Sequence, residues 1–349
     1  MNIIKNLEYL SELIGVAGFE ENAAEKVAEL FKDYCDTVKV DKFFNVICLK
    51  KGYNKSAKKL MITAHIDEIG FLVNSIDEKG FLGITNVGGI DSKILLAQEV
   101  IIHGRQDIIG IIGATPPHLL KPEDVGKPIK IRDLRVDTGF EGVELKKVVS
   151  IGDTVSFKSK FSIMNDLKAS GKSFDNRASV ACLLEILRYL REVNHENDII
   201  LVASTQEETT VVGVTTASYA IRPDAAIVID TSHGDIPDLS KDYSSTPGKG
   251  PEISIGPNLH PKMVTKFFEL GRENGISFQK MVEAGDTGTE AWATQVSASG
   301  IPTALLSIPI RYMHTAVETV NIEDIKYTAR LVAEFAKMNS EELVEVLCL

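Results

Sequence analysis

Short apolar runs in this chain repeatedly lead into an acid or an imidazole, and that recurrence limits the fold more than any other feature. DIILVASTQEET carries Glu207 and Glu208 beyond its apolar stretch, and KLMITAHIDEIG carries His65 and Asp67 just past Leu60 to Ile62. DAAIVID ends in Asp230, IPTALLSIPIRYMHTAVE leads into His314, and GKSFDNRAS carries Asp175. A short apolar run bounded by polar or turn-forming residues is the sequence form of a buried parallel strand. In open α/β sheets the ligand crevice lies outside the carboxyl ends of the strands, so these residues are expected to meet at one edge. Charge at such a rim is rarely retained for stability alone.

His65, Asp175, Glu208, Asp230 and His314 together have the composition expected around a pair of divalent cations. Zinc and cobalt accept imidazole nitrogen and carboxylate oxygen, and one shared carboxylate lets five residues hold both ions. His65 and Asp67 are two apart, so on an extended segment they face the same side. Asp67 is thus expected to accept the second ring N–H of His65 and fix its tautomer.

Each residue alone has a plainer explanation. Asp175 precedes a helical pattern with apolar residues at Val180, Leu183, Leu184, Leu187 and Leu190, where it would cap the helix. Asp230 would end a strand with a turn residue, and His314 would be a core histidine bonded to backbone. A lone His-x-Asp or Glu-Glu pair is a frequent surface feature. The five positions taken together reverse that balance.

The texture of the chain changes between about Phe71 and Ile163. GFLGITNVGG, QEVIIHGR, DIIGIIGAT and VVSIGDTVSF are short β-rich runs separated by turn residues, which predicts a small β-barrel or sandwich. On either side, 1–70 and 164–349 alternate apolar strands with helical stretches such as NAAEKVAELFKDY and IEDIKYTARLVAEFAKM. The expected fold class is therefore α/β, a helix-covered and mostly parallel sheet with a small β-barrel-like domain inserted at 71–163. Asn321, with Asp324 three residues on, is a candidate start for the last helix. The loop GATPPHLLKPEDVG, with Pro116, Pro117, His118 and Pro122, is stiff; it would either cover a neighbouring site or turn the chain, with His118 an ordinary loop histidine.

Composition narrows the partners. A net charge of −11 gives no electrostatic footing for nucleic acid or an anionic membrane, and no apolar run is long enough to span one. The N-terminal MNIIKNLEYLSELIGVAG reads as an amphipathic helix rather than a signal sequence, and a cytoplasmic location is the default expectation. Cys35, Cys48, Cys182 and Cys348 are widely spaced without a C-x-x-C pair, which argues against a disulfide framework and against thiolate zinc.

In order along the chain, AHIDEIG, SFDNRAS, STQEETTVVG, AIVIDTSHGD and RYMHTAVE resemble the signature segments of the M42 family of metallo-aminopeptidases. The resemblance implies a di-metal exopeptidase that removes N-terminal residues from peptides. It implies that Asp175 bridges two divalent ions, zinc or cobalt, with His65 and Asp230 completing one site and Glu208 and His314 the other. Glu207 would be the general base and Asp67 the group that orients the ligand histidine. A hydroxide shared by the ions would be the nucleophile, since paired ions lower the pKa of a water and polarise the scissile carbonyl. The inserted domain would form dimer contacts within a homo-oligomer, in this family a hollow tetrahedral dodecamer.

One departure stands out: the family's Gly-Thr-Asp-Ala reads Gly288, Thr289, Glu290, Ala291 here, which sets a carboxylate about one C–C bond deeper. Two other functions compete. A glycoside hydrolase would use Glu207 and Asp230 as acid and nucleophile but leaves His65, Asp67 and His314 without a task. A non-catalytic scaffold would have no reason to keep the ligand set.

Overall fold

The structure is a computed structural model that describes residues 2–119 and 126–347. Its centre is a sheet of eleven strands. Four of them run parallel through the middle: Asp198–Ser204, Lys59–His65, Ala225–His233 and Thr303–Arg311, in that spatial order. From Leu60 to His65 the Lys59–His65 strand is buried and mostly apolar, because both of its faces are covered. Leu60, Ile62 and Ala64 pack into the large core with Phe31, Leu183 and Leu201, while Met61 packs on the opposite face with Val214 and Ala217.

The helix-covered sheet of the expected class is thus present, with these central strands parallel and one further parallel pair, Glu252–Ile255 with Gln279–Val282, on a side branch. The flanks are antiparallel: Val46–Lys50 against Asp198–Ser204 on one side, and Glu318–Asn321 and Lys168–Gly171 beyond Thr303–Arg311 on the other. Thr303–Arg311 returns to Glu318–Asn321 through a short connection, which permits only the antiparallel pair, since a parallel return needs a crossover of a dozen residues or more.

Six further strands, Gly70–Ile76, Phe81–Val87, Glu99–His103, Asp107–Gly113, Arg135–Asp137 and Thr154–Phe157, close into an antiparallel barrel with its own core around Phe71, Val100, Val136 and Phe157. All six lie between consecutive strands of the large sheet. The barrel ends earlier than the composition indicated, since Ser162–Met164 already pairs with Lys168–Gly171 in the large sheet. The barrel form decides between the two β architectures expected for this stretch.

Asn321 does cap the helix Ile322–Ala336, accepting the Glu323 N–H. That helix is not the last, because Ser340–Leu347 follows. Asp324 turns instead to the Gly248 and Gly250 N–H groups, at 2.6 and 2.8 Å. The N-terminal stretch forms the helix Ile3–Glu12 with Ile3, Leu7 and Leu10 inward. Within the proline-rich loop, Pro117–Leu119 form a short turn with His118 exposed, and Pro122 lies outside the described residues.

The cysteine expectation needs correcting. Cys35 and Cys48 form a disulfide. Strand Thr37–Val40 folds back on Val46–Lys50 with Val38 opposite Cys48, a hairpin that brings together two cysteines whose sequence spacing gave no sign of pairing. Cys182 is buried and free, and Cys348 lies outside the described residues. Among the described residues no helix is long and apolar enough to cross a membrane.

Candidate active site

The central strands deliver six of the seven singled-out residues to one place, and Asp175 comes from the start of the helix Phe174–Tyr189. His65 is the last residue of its strand, opposite Ser204 on the neighbour that leads into Glu207 and Glu208. Asp230 lies inside its strand rather than at the end expected from DAAIVID, because pairing with Thr303–Arg311 continues three residues further to His233. His314 follows that last strand in a turn and holds a left-handed φ of 60°.

Asp175 sits between the two imidazoles. Its Oδ1 is 3.4 Å from His65 Nε2 and its Oδ2 is 3.2 Å from His314 Nε2. Asp230 Oδ1 is 3.8 Å from His65 Nε2, and Glu208 Oε2 is 3.3 Å from His314 Nε2. Glu207 Oε2 lies 3.9 Å from His65 Nε2, outside both groups. Ligand-type atoms of His65, Asp175 and Asp230 fall within 4.8 Å of one another, as do those of Asp175, Glu208 and His314. Asp175 does not cap its helix. Its backbone is non-helical within Phe174–Tyr189, and its N–H donates to Glu318 at 3.0 Å.

Asp67 faces both the His65 ring and the chain that carries the two glutamates. Its Oδ1 stands 3.4 Å from His65 Nδ1, beyond ordinary hydrogen-bond length, whereas its two oxygens accept the Glu207 and Glu208 N–H groups at 3.0 Å each. The carboxylate therefore clamps the turn that presents both glutamates. Glu290, the departure from the family pattern, accepts from Thr63 Oγ1 at 2.8 Å and from Ser204 Oγ beneath the site.

Several contributors were not singled out from the sequence, although Glu68 and Glu318 lie in the segments AHIDEIG and RYMHTAVE. Glu318 accepts both the Asp175 N–H and the His314 N–H, the latter at 2.8 Å, and so fixes two of the five residues at once. Its only trace was its place four residues after His314. Gly88 and Gly89, at the end of a barrel strand, pass so close that a Cβ at Gly89 would lie 3.3 Å from His314 Nδ1 and one at Gly88 3.3 Å from Glu208 Oε2. Behind the site, buried Glu68 accepts from Lys172 Nζ, Ser173 Oγ and the Gly15 N–H. That dry ion pair ties the His65–Asp67 segment to the Asp175 segment.

The electrostatics call for positive charge. Burial alone would disfavour charge on both histidines, yet the surrounding carboxylates win: His65 is held well above its ordinary pKa and His314 is pushed up to about 11. Burial likewise pushes Asp230 well above the carboxylate range, against the pull of His65, and raises Glu208. Asp175, flanked by both imidazoles, is held low despite burial. Glu208 Oε1 is buried without a hydrogen-bond partner. Two imidazoles, three carboxylates and an unsatisfied oxygen suit divalent-metal binding better than a self-sufficient hydrogen-bond network.

The M42 glutamyl aminopeptidase profile matches residues 45–331. The chain belongs to the M42 peptidase family. This M42 peptidase is 35% identical to a lysyl aminopeptidase of Pyrococcus furiosus over 342 residues, 97% of this chain and 96% of that one. It superposes on a TET aminopeptidase from a marine sediment thaumarchaeon with a TM-score of 0.94 at 29% identity, covering 99% and 98% of the two chains. It also superposes on a Pyrococcus horikoshii TET1 peptidase, which assembles into a tetrahedron or a large octahedral shell, with a TM-score of 0.84 at 30% identity over 96% and 99%. Membership favours one of the functions the sequence left in competition: this M42 peptidase is an aminopeptidase, a hydrolase.

Proposed function

We propose that this chain is a di-metal exopeptidase in which His65, Asp175 and Asp230 hold one divalent ion, and Asp175, Glu208 and His314 the other. The observation that carries the reading is the sharing of Asp175 by two compact donor groups. Zinc and cobalt suit such nitrogen and oxygen donors. When bound, the ion pair supplies Lewis acidity to the scissile carbonyl and lowers the pKa of a water between the ions.

The protein's own groups do the rest. Glu207, 3.9 Å from His65 yet belonging to neither group, takes the proton of the attacking water and returns it to the leaving amine. Burial pushes its pKa up to about 9, with His65 opposing and Asp230, Glu208 and Asp67 adding to the rise. Positive charge in the two donor groups acts the other way and keeps it ionised, as a base must be. Asp67 sets the backbone of Glu207 and Glu208, Glu318 that of Asp175 and His314, and Gly88 and Gly89 leave His314 and Glu208 their room.

Peptides with a free amino terminus are the substrates on this reading. The names carried by the family and by its relatives span glutamyl and lysyl, so the preferred side chain has to be sought in the cleft. Self-association is part of the proposal, with the inserted barrel forming the contacts. Its strand Asp107–Gly113 alternates in burial, yet the outward Ile109 and Ile111 are 54% and 52% exposed, an apolar face suited to a second copy. Sedimentation of a monomer would overturn that part.

Glu207→Gln tests the mechanism. The variant is expected to retain two ions by elemental analysis and to lose roughly 10²–10⁴-fold in turnover of aminoacyl-anilides. Normal turnover would remove Glu207 from the mechanism, and full activity of a preparation stripped by chelator would remove the ions.

A further inference from the structure

The cleft that opens from the carboxylate and imidazole cluster continues along the sheet past Ser307 to the strand Glu252–Ile255, and on to Met281 and Glu283. Strand register locates its floor. Asp230 is paired with Ser307, and Ser307 with Glu252, so the three side chains lie on one rung and one face of the sheet. Glu252 is therefore two strand spacings, about 10 Å, from Asp230.

Glu252 is an unusual residue to find there. It is 2% exposed, and the hydrogen bond that holds it comes from the Ser245 hydroxyl at 2.7 Å. Burial raises its pKa, and the charged side chain that adds to the rise is a second carboxylate, Glu283. Lys280, which also borders the cleft, places its ammonium over the Phe268 ring, 4.4 Å from the centroid. The Lys241 side chain is on an exposed turn at the rim, next to Asp242. Thr231 Oγ1, buried in the wall of the same cleft, has no hydrogen-bond partner. A buried carboxylate without a cationic partner is costly, and one removed from water beside a substrate cleft is answered by a cation that the substrate brings.

We propose that Glu252, backed by Glu283, determines specificity and that the preferred N-terminal residue is basic, lysine or arginine, with its cationic head seated against Glu252. The assignment rests on the exopeptidase reading, which places the first peptide bond at the metal-binding cluster and its side chain along the rung. A flexible aliphatic stem lies over Ser307 and Met281, and the charge at its end meets the buried acid. An N-terminal glutamate would set a third carboxylate against Glu252 and Glu283.

The test uses the metal-loaded enzyme and the 4-nitroanilides of lysine, arginine, norleucine and glutamate. Norleucine matches the lysine stem without its ammonium group. Lysine or arginine is expected to exceed norleucine in kcat/KM by at least about tenfold, with glutamate the poorest substrate. In Glu252→Gln the lysine-to-norleucine ratio should fall by about tenfold, and in Glu283→Gln by less. Product inhibition by free L-lysine and L-norleucine gives a reading on the wild type alone, with lysine the tighter. Faster cleavage of the norleucine or glutamate derivative, or a ratio unchanged in Glu252→Gln, overturns the assignment and leaves the aminopeptidase standing. A loaded enzyme that cleaves none of the four overturns both.

Discussion

The two donor groups that share Asp175 are built from different material. His65 ends a central strand and Asp230 lies inside its neighbour, at 1% and 4% exposure. His314 lies in a turn with left-handed backbone, and its side chain is 33% exposed. Sheet register holds the first group, and a single glutamate, Glu318, ties the turn of the second to the shared Asp175 by accepting the N–H of His314 and of Asp175. Sites carried on strands keep their geometry better than sites carried on loops. The difference teaches that the sheet supplies a fixed half and the turn an exchangeable half, joined by one carboxylate.

Asp175→Asn breaks the comparison outright, because it removes the group common to both halves. Neither ion should survive dialysis, and the loss of turnover should exceed the ~100-fold typical of losing an outer-shell partner. Elemental analysis and an anilide assay decide it. Retention of both ions would mean that Asp175 is not shared.

Paired variants sharpen the contrast. His65→Ala should cost the strand-borne ion, whereas His314→Ala should keep that ion and lose its neighbour. Metal stoichiometry under native mass spectrometry reads this directly. Equal losses in the two variants would show that the halves do not differ in strength.

Protons offer a smaller, graded test. Without cations His65 and His314 hold their protons at neutral pH, since both pKa values are raised, that of His314 to about 11. Loading must displace them, so the metal-free form binds more protons than the loaded one and acidification favours the metal-free form. Apparent affinity should weaken by about tenfold per pH unit for each proton released, throughout the neutral range. Calorimetry in buffers of different ionisation enthalpy counts the protons, and pH-independent loading would contradict the assignment.

What the sequence made legible follows from local pattern. Apolar runs marked the central strands, and a polar residue after each marked the edge where His65, Glu207, Glu208 and His314 come together. Pattern fails where the cause is distant. Glu318, Gly88 and the Glu68–Lys172 pair act through contacts made by the folded chain; Glu68 and Glu318 lie in segments the sequence marked, but their own roles had no local sign. Asp230 was placed at a strand end because its local run stops there, while pairing with the next strand carries the extended backbone on to His233. The Cys35–Cys48 bridge escaped for the same reason, since a hairpin rather than spacing joins it.

Glu290→Asp carries the smallest expected effect and tests the comparison from below. The Glu290 carboxylate bonds to Thr63 and Ser204, hydroxyls on the two strands that lead to His65 and to Glu207. Aspartate is one methylene shorter, so with the helix Glu290–Gln295 in place it reaches one hydroxyl and leaves the other buried without its partner. That costs about 1–3 kcal/mol of folding stability, readable as a lowered denaturation midpoint. The cross-link holds the strand that ends in His65 directly, whereas Glu208 of the other half lies four residues beyond Ser204, so retention of the strand-borne ion should weaken more than that of the His314 ion. An equal shift in both ions would show that Glu290 acts through its buried charge, which both halves feel, rather than by tying the strands.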